Sequence, residues 1–218
     1  TSCLFTPINI GRLSLINRFV RSATHDYLAD NQQGYVRPAQ LELYRRLAEG
    51  EIGLIITGHA YVHPSGKASP RQIAVDDDRK IPGLGRLAEA VHQSGSGSLV
   101  FLQISHAGRQ TRPALCGQQP LAPSAVYDPV SRVLPRELTG EEVQQVIEWF
   151  VKAADRARQA GFDGVQLHAG HGYLLSSFIS PHTNRRTDDW GGSSENRSRL
   201  IREIIAGICQ TYGPEFPV

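Results

Sequence analysis

The chain has 218 residues, of which 40% are apolar, and its 23 Lys and Arg oppose 21 Asp and Glu to give a formal net charge of +2. This composition predicts an ordinary globular protein with a sizeable core and excludes fibrous and disordered classes. No Lys/Arg run reaches five residues, so the charge pattern predicts no nucleic-acid partner.

The chain opens with a predicted hairpin, strand and helix. Two short apolar patches at residues 8–10 and 13–15 flank a turn, and a β-type run follows at residues 19–24. Pro38 then starts a pattern with apolar residues at helical spacing, and Gly50 ends it.

The second and third units follow the same alternation. Residues 53–57 (GLIIT) form a continuous apolar run, as in a strand buried on both faces, and the next helix ends at Gly95. Residues 99–105 (LVFLQIS) predict the third strand. The stretch at about 106–137 is rich in Pro, Gly, Ser and Gln and shows neither helical nor strand periodicity, which predicts a loop excursion. The apolar face of the second helix consists of Leu84, Leu87, Ala88 and Val91.

The fourth unit has the clearest helix boundary. Thr139 and Glu142 have the spacing of a capping box, and the third helix that they begin ends at Gly161. Residues 164–167 (GVQL) predict the start of the fourth strand, and a fourth helix precedes Gly213. The apolar faces are Val143, Val146, Ile147, Phe150, Val151 and Ala154 for the third helix, and Leu200, Ile201, Ile204, Ile205 and Ile208 for the fourth.

Four strands alternating with four helices predict a parallel sheet and an α/β fold. A doubly wound sheet would usually show a Gly-rich nucleotide-binding turn, and no such motif occurs. Polar residues instead follow each strand, which favours a (β/α)8 TIM barrel. Because a complete barrel has eight units, we expect only about the first four βα units here, with a fifth strand beginning at residues 216–218. The polar residues are His25, Tyr27, His59, Gln103, His106, His168, His171 and Tyr173.

The densest polar cluster is His168, His171 and Tyr173, directly after the fourth strand. Two imidazoles three residues apart can both donate to an oxygen that gains negative charge, and a tyrosine O–H can deliver a proton. The same residues could be hydrogen-bonded structural side chains. With His106 they could also be the zinc ligands of a barrel hydrolase. Spacing alone leaves the three interpretations open.

Other polar residues carry weaker signals. Gln103 lies in an apolar strand, and either a ligand or a neighbouring strand could satisfy its amide. His25, Tyr27 and His59 are isolated, and isolated loop histidines are common. The acidic run at residues 76–78 predicts a solvated loop before the second helix rather than a metal site.

Several sequence blocks together resemble the Old Yellow Enzyme family of NADH:flavin oxidoreductases and ene-reductases. The His-x-x-His-x-Tyr block at 168–173 and the Arg-Thr-Asp-x-x-Gly-Gly-Ser block at 186–193 are specific, and the similarity extends through essentially the whole chain. The resemblance implies one domain, residues 1–218, that is the N-terminal half of an FMN-binding TIM barrel. The other blocks are Leu4-Phe5-Thr6-Pro7, Asn17-Arg18, Gln103 with His106-Ala107-Gly108-Arg109, Gly161-Phe162-Asp163, Ser180-Pro181, Asn184 and Glu195-Asn196-Arg197.

The resemblance also implies an activity and its residues. FMN would lie on the C-terminal face of the barrel, NADH or NADPH would reduce it, and the small-molecule substrate would be an alkene activated by a carbonyl or similar group. His168 and His171 match the pair that binds the substrate oxygen, and Tyr173 matches the tyrosine that protonates the α-carbon. Tyr27 falls near the substrate. The implied cofactor contacts are Ala23, Thr24, His25, Gly58, His59, Gln103 and His168.

Two departures from the family pattern matter. His25 stands where Thr or Cys is common, at a position that tunes the flavin through a hydrogen bond. The strand-five Arg or Lys that faces the flavin, and the phosphate-binding loops after strands seven and eight, would lie beyond Val218. We therefore expect half of the cofactor site outside this chain, and a non-catalytic half-barrel is a further alternative.

The cellular setting is predicted from what the sequence lacks. Cys3, Cys116 and Cys209 are isolated and odd in number, a pattern typical of a reducing compartment. No apolar run approaches the roughly 18–20 residues that span a bilayer, and the N-terminus lacks signal-peptide regions. We expect a cytoplasmic protein with no membrane partner, and the sequence leaves a homo-oligomer open.

Overall fold

Four parallel strands and the helices between them organise the chain. A computed structural model describes residues 2–218, apart from the side chain of Pro214. The strands are β1 (Ile8–Ile10), β2 (Leu13–Leu15), β3 (Val20–Arg21), β4 (Leu54–Ile56), β5 (Ala60–Tyr61), β6 (Leu99–Ser105), β7 (Leu121–Ala122), β8 (Arg136–Glu137) and β9 (Gly164–Leu167). The α-helices are α1 (Pro38–Glu49), α2 (Ile81–His92), α3 (Pro113–Cys116), α4 (Gly140–Gln159), α5 (Leu174–Ile179) and α6 (Ser194–Tyr212).

The main sheet has the order β3-β4-β6-β9, and every neighbouring pair is parallel. Helices α1, α2 and α4 connect successive strands, and α6 follows β9. The predicted alternation of four strands and four helices is therefore confirmed. The capping box is confirmed as well, because the Glu142 N–H donates to Thr139 Oγ1 and the Thr139 N–H donates to Glu142 Oε2.

The second barrel strand is interrupted by a bulge. β4 pairs with β6 up to Ile56 opposite Phe101, and β5 resumes the pairing at Ala60 opposite Ile104. Residues 57–59, between β4 and β5, therefore span the same length as residues 102–103 of β6. Such an extra residue bends a strand and redirects its side chains. Thr57 Oγ1 accepts from the Gln103 N–H at 3.3 Å, which satisfies a backbone donor at the interruption.

The two faces of the sheet bury different clusters. Side chains such as Val100 and Leu102 point toward the helices and are fully buried in the main core. The opposite face carries a smaller cluster, in which Leu54 and Ile56 pack with Leu15 of the hairpin. The hairpin of β1 and β2 therefore covers one end of the sheet face that is opposite the helices. This alternation follows from the period of two along each strand.

The excursion at 106–137 and the segment after β9 contain short elements that the sequence did not predict. β7 pairs with β8 in parallel, and α3 lies between β6 and β7. Helix α5 has only six residues, of which Leu174 and Phe178 are among those fully buried. Elements this short give no measurable period, so sequence patterning missed them.

Several elements are shorter in the structure than the sequence predicts. Only Val20–Arg21 of the predicted 19–24 strand pairs with its neighbour, and α2 ends at His92 rather than at Gly95. At the other end of the chain, the Val165 N–H donates to the Pro217 carbonyl at 3.1 Å, which places this segment beside β9 as expected for the next strand. No helix among residues 2–218 is long and apolar enough to cross a bilayer.

Candidate active site

A pocket of about 300 Å³ lies at the carboxyl ends of the parallel strands. In barrels, this end carries the chemistry. A larger cavity, of about 500 Å³, opens at the amino ends near Phe162 and Tyr212 and has none of the predicted site residues. The residues that line the pocket at the carboxyl ends are Ser22, Ala23, His25, Tyr27, His59, Gln103, His168, His171 and Tyr173.

This lining brings together eight of the predicted site residues from four strand ends. Thr24 and Gly58 are not among the lining residues and lie just behind them: a Cβ added to Gly58 would be 2.9 Å from the Thr24 carbonyl oxygen. Gly58 therefore permits the close approach of the segments that follow β3 and β4. Sequence reasoning missed Ser22, which has no distinguishing signal in the sequence.

His168 and His171 form a coupled pair of rings. The Gly170 N–H donates to His168 Nδ1 at 3.3 Å, so the neutral ring carries its proton on Nε2. That Nε2 lies 3.3 Å from His171 Nδ1. Burial, and secondarily the neighbouring His171, lower the pKa of His168 to about 4. At neutral pH His168 is therefore uncharged, and its Nε2–H is a donor at the pocket.

Tyr173 lies against the histidine pair, with its ring centroid 4.7 Å from that of His168. Burial, with the nearby Tyr27, raises the pKa of Tyr173, so its hydroxyl keeps the proton at neutral pH. The chain turns sharply before it: His171 has φ 57° and Gly172 has φ 75°. A non-glycine residue in this region is uncommon and often marks a functional site.

Gln103 and Gln166 face each other across β6 and β9. They are register partners, and Gln103 Nε2 donates to Gln166 Oε1 at 2.7 Å. The structure therefore supplies the neighbouring-strand partner that the sequence had left as one alternative. Gln103 Oε1 and its second N–H make no hydrogen bond with residues 2–218, so both are free to bond a ligand in the pocket that Gln103 lines.

A carboxylate holds the segment with His25 and Tyr27 in place. Asp26 accepts from the Gln40 amide and from the Tyr44 hydroxyl, each at 3.2 Å, and both donors belong to α1. The rings of His25 and Tyr27, on either side of Asp26, pack in a tilted arrangement with centroids 3.8 Å apart and an interplanar angle of 42°. Tyr27 has φ 55°, a second left-handed residue in the lining. Sequence patterning missed this anchor because its members are distant in the chain.

His106 is separated from the histidines that line the pocket. It is fully buried, its Nε2 lies 2.9 Å from Ser65 Oγ, and its Nδ1 accepts from the Gly108 N–H. Burial lowers the pKa of His106 to about 3. The hydrolase interpretation needed His106 beside His168 and His171, and the structure does not bring them together. Among residues 2–218 no group of three or more potential metal ligands is assembled.

The polar groups of the pocket fit the ring of a flavin. A flavin edge presents both donors and acceptors, and the free Gln103 amide atoms answer both kinds. The neutral imidazoles add N–H donors for the negative charge of a reduced ring. Residues that could contact the ring are thus Gln103, His59, His25 and His168, with backbone from Ala23.

The fold and the pocket define a class of partial α/β barrel with a polar site, able to take a flavin ring, at the carboxyl ends of its parallel strands. The sequence model of the NADH:flavin oxidoreductase / NADH oxidase family matches residues 3–218, and the chain belongs to this family. Its relatives include the NADH oxidase of Thermoanaerobacter brockii, 44% identical over 217 residues. The NADPH dehydrogenase of Bacillus subtilis is 39% identical over 214 residues.

Solved structures give the same result. The complex of 2-naphthoyl-CoA reductase with 2-naphthoyl-CoA superposes with a TM-score of 0.94 at 34% identity, and covers 99% of this chain and 34% of that one. The Old Yellow Enzyme homologue from Zymomonas mobilis has a TM-score of 0.91 at 32% identity, and covers 99% of this chain and 62% of that one. These likenesses confirm the resemblance to the Old Yellow Enzyme family and the partial barrel.

The match is complete for this chain and partial for its relatives. The alignments cover 99% and 98% of this chain, but only 33% of the NADH oxidase and 62% of the NADPH dehydrogenase. The chain thus spans between a third and three-fifths of their length. Activity, substrates and partners of the whole protein are therefore matters for proposal.

Proposed function

We propose that the intact protein is an FMN-dependent NAD(P)H oxidoreductase that reduces activated C=C bonds of α,β-unsaturated carbonyl or similar compounds. In this proposal residues 1–218 are the N-terminal half of the barrel. The observation that carries it is the convergence of His168, His171, Tyr173 and Gln103 in one pocket at the carboxyl ends of the strands. Neighbours of the same fold include an Old Yellow Enzyme homologue and a naphthoyl-CoA reductase.

Each residue has a role that its environment supports. His168 and His171 are N–H donors that hold the substrate's carbonyl oxygen as it gains negative charge. Tyr173 keeps its proton at neutral pH and delivers it to the α-carbon. Gln103 contacts the polar edge of the flavin ring. Bound FMN, once reduced by NADH or NADPH, supplies the hydride.

The remaining predicted residues form the surroundings of the ring and the substrate. His25, His59 and Ala23 line the cofactor side, while Thr24 and Gly58 support it from behind. Tyr27 lies beside Tyr173 on the substrate side. The phosphate of FMN would be held by loops after strands seven and eight, which the first four units do not include.

The replacement Tyr173→Phe tests the proton donor in the intact protein. Flavin content and reduction by NAD(P)H are expected to stay within about twofold, whereas reoxidation by an enone slows by roughly 10²-fold, the usual contribution of a general acid. Stopped-flow measurement of the two half-reactions separates these effects. The exposed Tyr127→Phe is the matched control.

The outcomes separate the alternatives. An unchanged oxidative half-reaction removes Tyr173 from the mechanism but leaves a flavoprotein. A purified intact protein that is colourless and has stoichiometric zinc supports the hydrolase instead. A protein with neither flavin nor metal supports the non-catalytic alternative.

A further inference from the structure

A buried hydrogen-bond network lies behind His59, on the side away from the pocket. His59 Nδ1 is 3.0 Å from Gln72 Nε2 and 3.0 Å from Ser105 Oγ. Gln72 and Ser105 are both fully buried, and His59 is 7% exposed. The proposed roles of the site residues do not use Gln72, and it is not part of any sequence block noted above.

The orientation of the Gln72 amide is determined by the backbone around it. Its Oε1 accepts from the Ala68 N–H at 2.7 Å, and its Nε2 donates to the His59 carbonyl at 3.1 Å. Exchanging the oxygen and nitrogen would place two donors together at Ala68 and two acceptors together at the His59 carbonyl. The group that faces His59 Nδ1 is therefore an NH2, which can only donate.

Two neighbours face His59 Nδ1. The Gln72 NH2 group cannot accept a proton, whereas the Ser105 hydroxyl can donate to Nδ1 or accept from it and also lies 3.3 Å from the Ala60 carbonyl. The Gln72 donor favours Nδ1 as the acceptor, with the hydrogen on Nε2. His59 Nε2 makes no hydrogen bond within residues 2–218, and the ring lines the pocket. The bulge between β4 and β5 is what places this ring at the pocket wall.

We infer that Gln72 is a positioning residue that holds His59 as the Nε2–H tautomer, so that His59 presents a permanent uncharged donor to the ligand. The inference rests on the function proposed above, in which the ligand on this side is the flavin ring. The acceptor would be an electron-rich oxygen or nitrogen of that ring. Burial, with the neighbouring histidines, lowers the pKa of His59 to about 3, which agrees with a neutral ring.

The tautomer can be read directly by NMR of the intact protein labelled with 15N-histidine. Long-range 1H–15N correlations distinguish rings protonated on Nε2, on Nδ1 or on both, and His59→Gln identifies the signal. We expect Nε2–H in the unsubstituted protein. At pH 8, Gln72→Glu keeps an acceptor for Ala68 but places an acceptor at His59, so the His59 signal should change to one with a proton on Nδ1.

Two further variants isolate the effect. Ser105→Ala removes the other neighbour of Nδ1 and should leave the Nε2–H signal unchanged. Gln118→Glu adds the same charge at an exposed position and should alter neither the signal nor FMN binding. The dissociation constant of FMN should rise by about tenfold in Gln72→Glu, the effect of losing one hydrogen bond.

The inference is overturned by an Nδ1–H signal in the unsubstituted protein, by an unchanged His59 signal in Gln72→Glu, or by loss of the Nε2–H signal in Ser105→Ala. Unchanged FMN affinity in a Gln72→Glu protein with the altered tautomer would also overturn it. If the unsubstituted protein binds no FMN while His59 is the Nε2–H tautomer, the proposed function fails and the assignment of the proton stands.

Discussion

At the residue scale, neighbouring groups determine the proton positions in the pocket. Because the Gly170 N–H donates to His168 Nδ1, the His168 proton is on Nε2, which faces His171 Nδ1. The 3.3 Å between these two nitrogens is long for a hydrogen bond. A substrate oxygen can therefore replace this weak contact at small cost. Because burial keeps His168 neutral, the pair also avoids the repulsion that two imidazolium ions would have.

Replacing either ring of this pair with alanine is expected to weaken the binding of phenols, which stack on the flavin in the Old Yellow Enzyme family. A hydrogen bond to a phenolate oxygen is charge-assisted and contributes about 1.5–3 kcal/mol, so the dissociation constant should rise roughly 10- to 100-fold in His168→Ala and in His171→Ala. Titration of the intact protein with a phenol, followed by the charge-transfer band, measures this dissociation constant. The exposed His182→Ala serves as the control, and parent-like titrations in both variants would contradict the assignment.

The buried neutral histidines also predict how stability depends on pH. The folded pKa of His106 is about 3, far below the value of about 6.5 in an unfolded chain. Between these values the unfolded state binds the extra proton. The contribution of His106 is therefore complete above pH 6.5 and is lost as the pH falls toward 3, by up to about 1.4 kcal/mol per pH unit.

Urea unfolding of the intact protein between pH 7 and pH 4 measures this slope. His106→Gln should reduce the slope even though it also lowers the overall stability, because the variant has no proton to take up at this position. His182→Gln changes an exposed histidine and should retain the parent slope. Equal slopes in His106→Gln and in the parent would contradict the prediction.

At the element scale, α1 supports the pocket by contacts that its apolar pattern does not reveal. The apolar side of the helix includes Tyr44, but the hydroxyl of this residue accepts from the Gly58 N–H at 2.8 Å and donates to Asp26. One buried hydroxyl therefore joins α1 to the segments that follow β3 and β4. These are the segments that carry His25 and His59.

Tyr44→Phe removes this hydroxyl and leaves the Gly58 N–H without its hydrogen-bond partner. We expect the free energy of unfolding to fall by about 1–3 kcal/mol, the cost of an unsatisfied buried polar group. The midpoint of urea unfolding measures the loss, with Tyr127→Phe as the exposed control. A midpoint equal to that of the unsubstituted protein would show that the hydrogen bonds of the Tyr44 hydroxyl do not contribute to stability.

At the scale of the whole molecule, the sheet within residues 2–218 has two outer strands. β3 pairs only with β4, and Phe19 and Val20 at this edge are partly exposed. On the other side, the segment around Pro217 contacts β9 through a single backbone hydrogen bond to Val165. Unpaired strand edges and uncovered apolar faces promote association.

A segment limited to these 218 residues is therefore expected to aggregate or self-associate, and not to retain FMN. The phosphate of the cofactor supplies much of its anchoring, and barrels usually bind it after strands seven and eight. Gel filtration with the visible flavin spectrum, run beside the intact protein, measures both properties. A monomeric segment with stoichiometric FMN and turnover would contradict the prediction.

The sequence by itself determined the four βα units, because strand runs such as residues 53–57 and the capping box at Thr139 are local signals that act within one element. It also determined the family, since the His168–Tyr173 block is contiguous. Only the tertiary structure decided that His106 faces Ser65 instead of the pocket, that an extra residue in the second strand redirects His59, and that Gln72 lies behind this ring. These pairings join residues 13 to 46 positions apart in the chain, and hydrogen-bond partners at such distances leave no periodic pattern in the sequence.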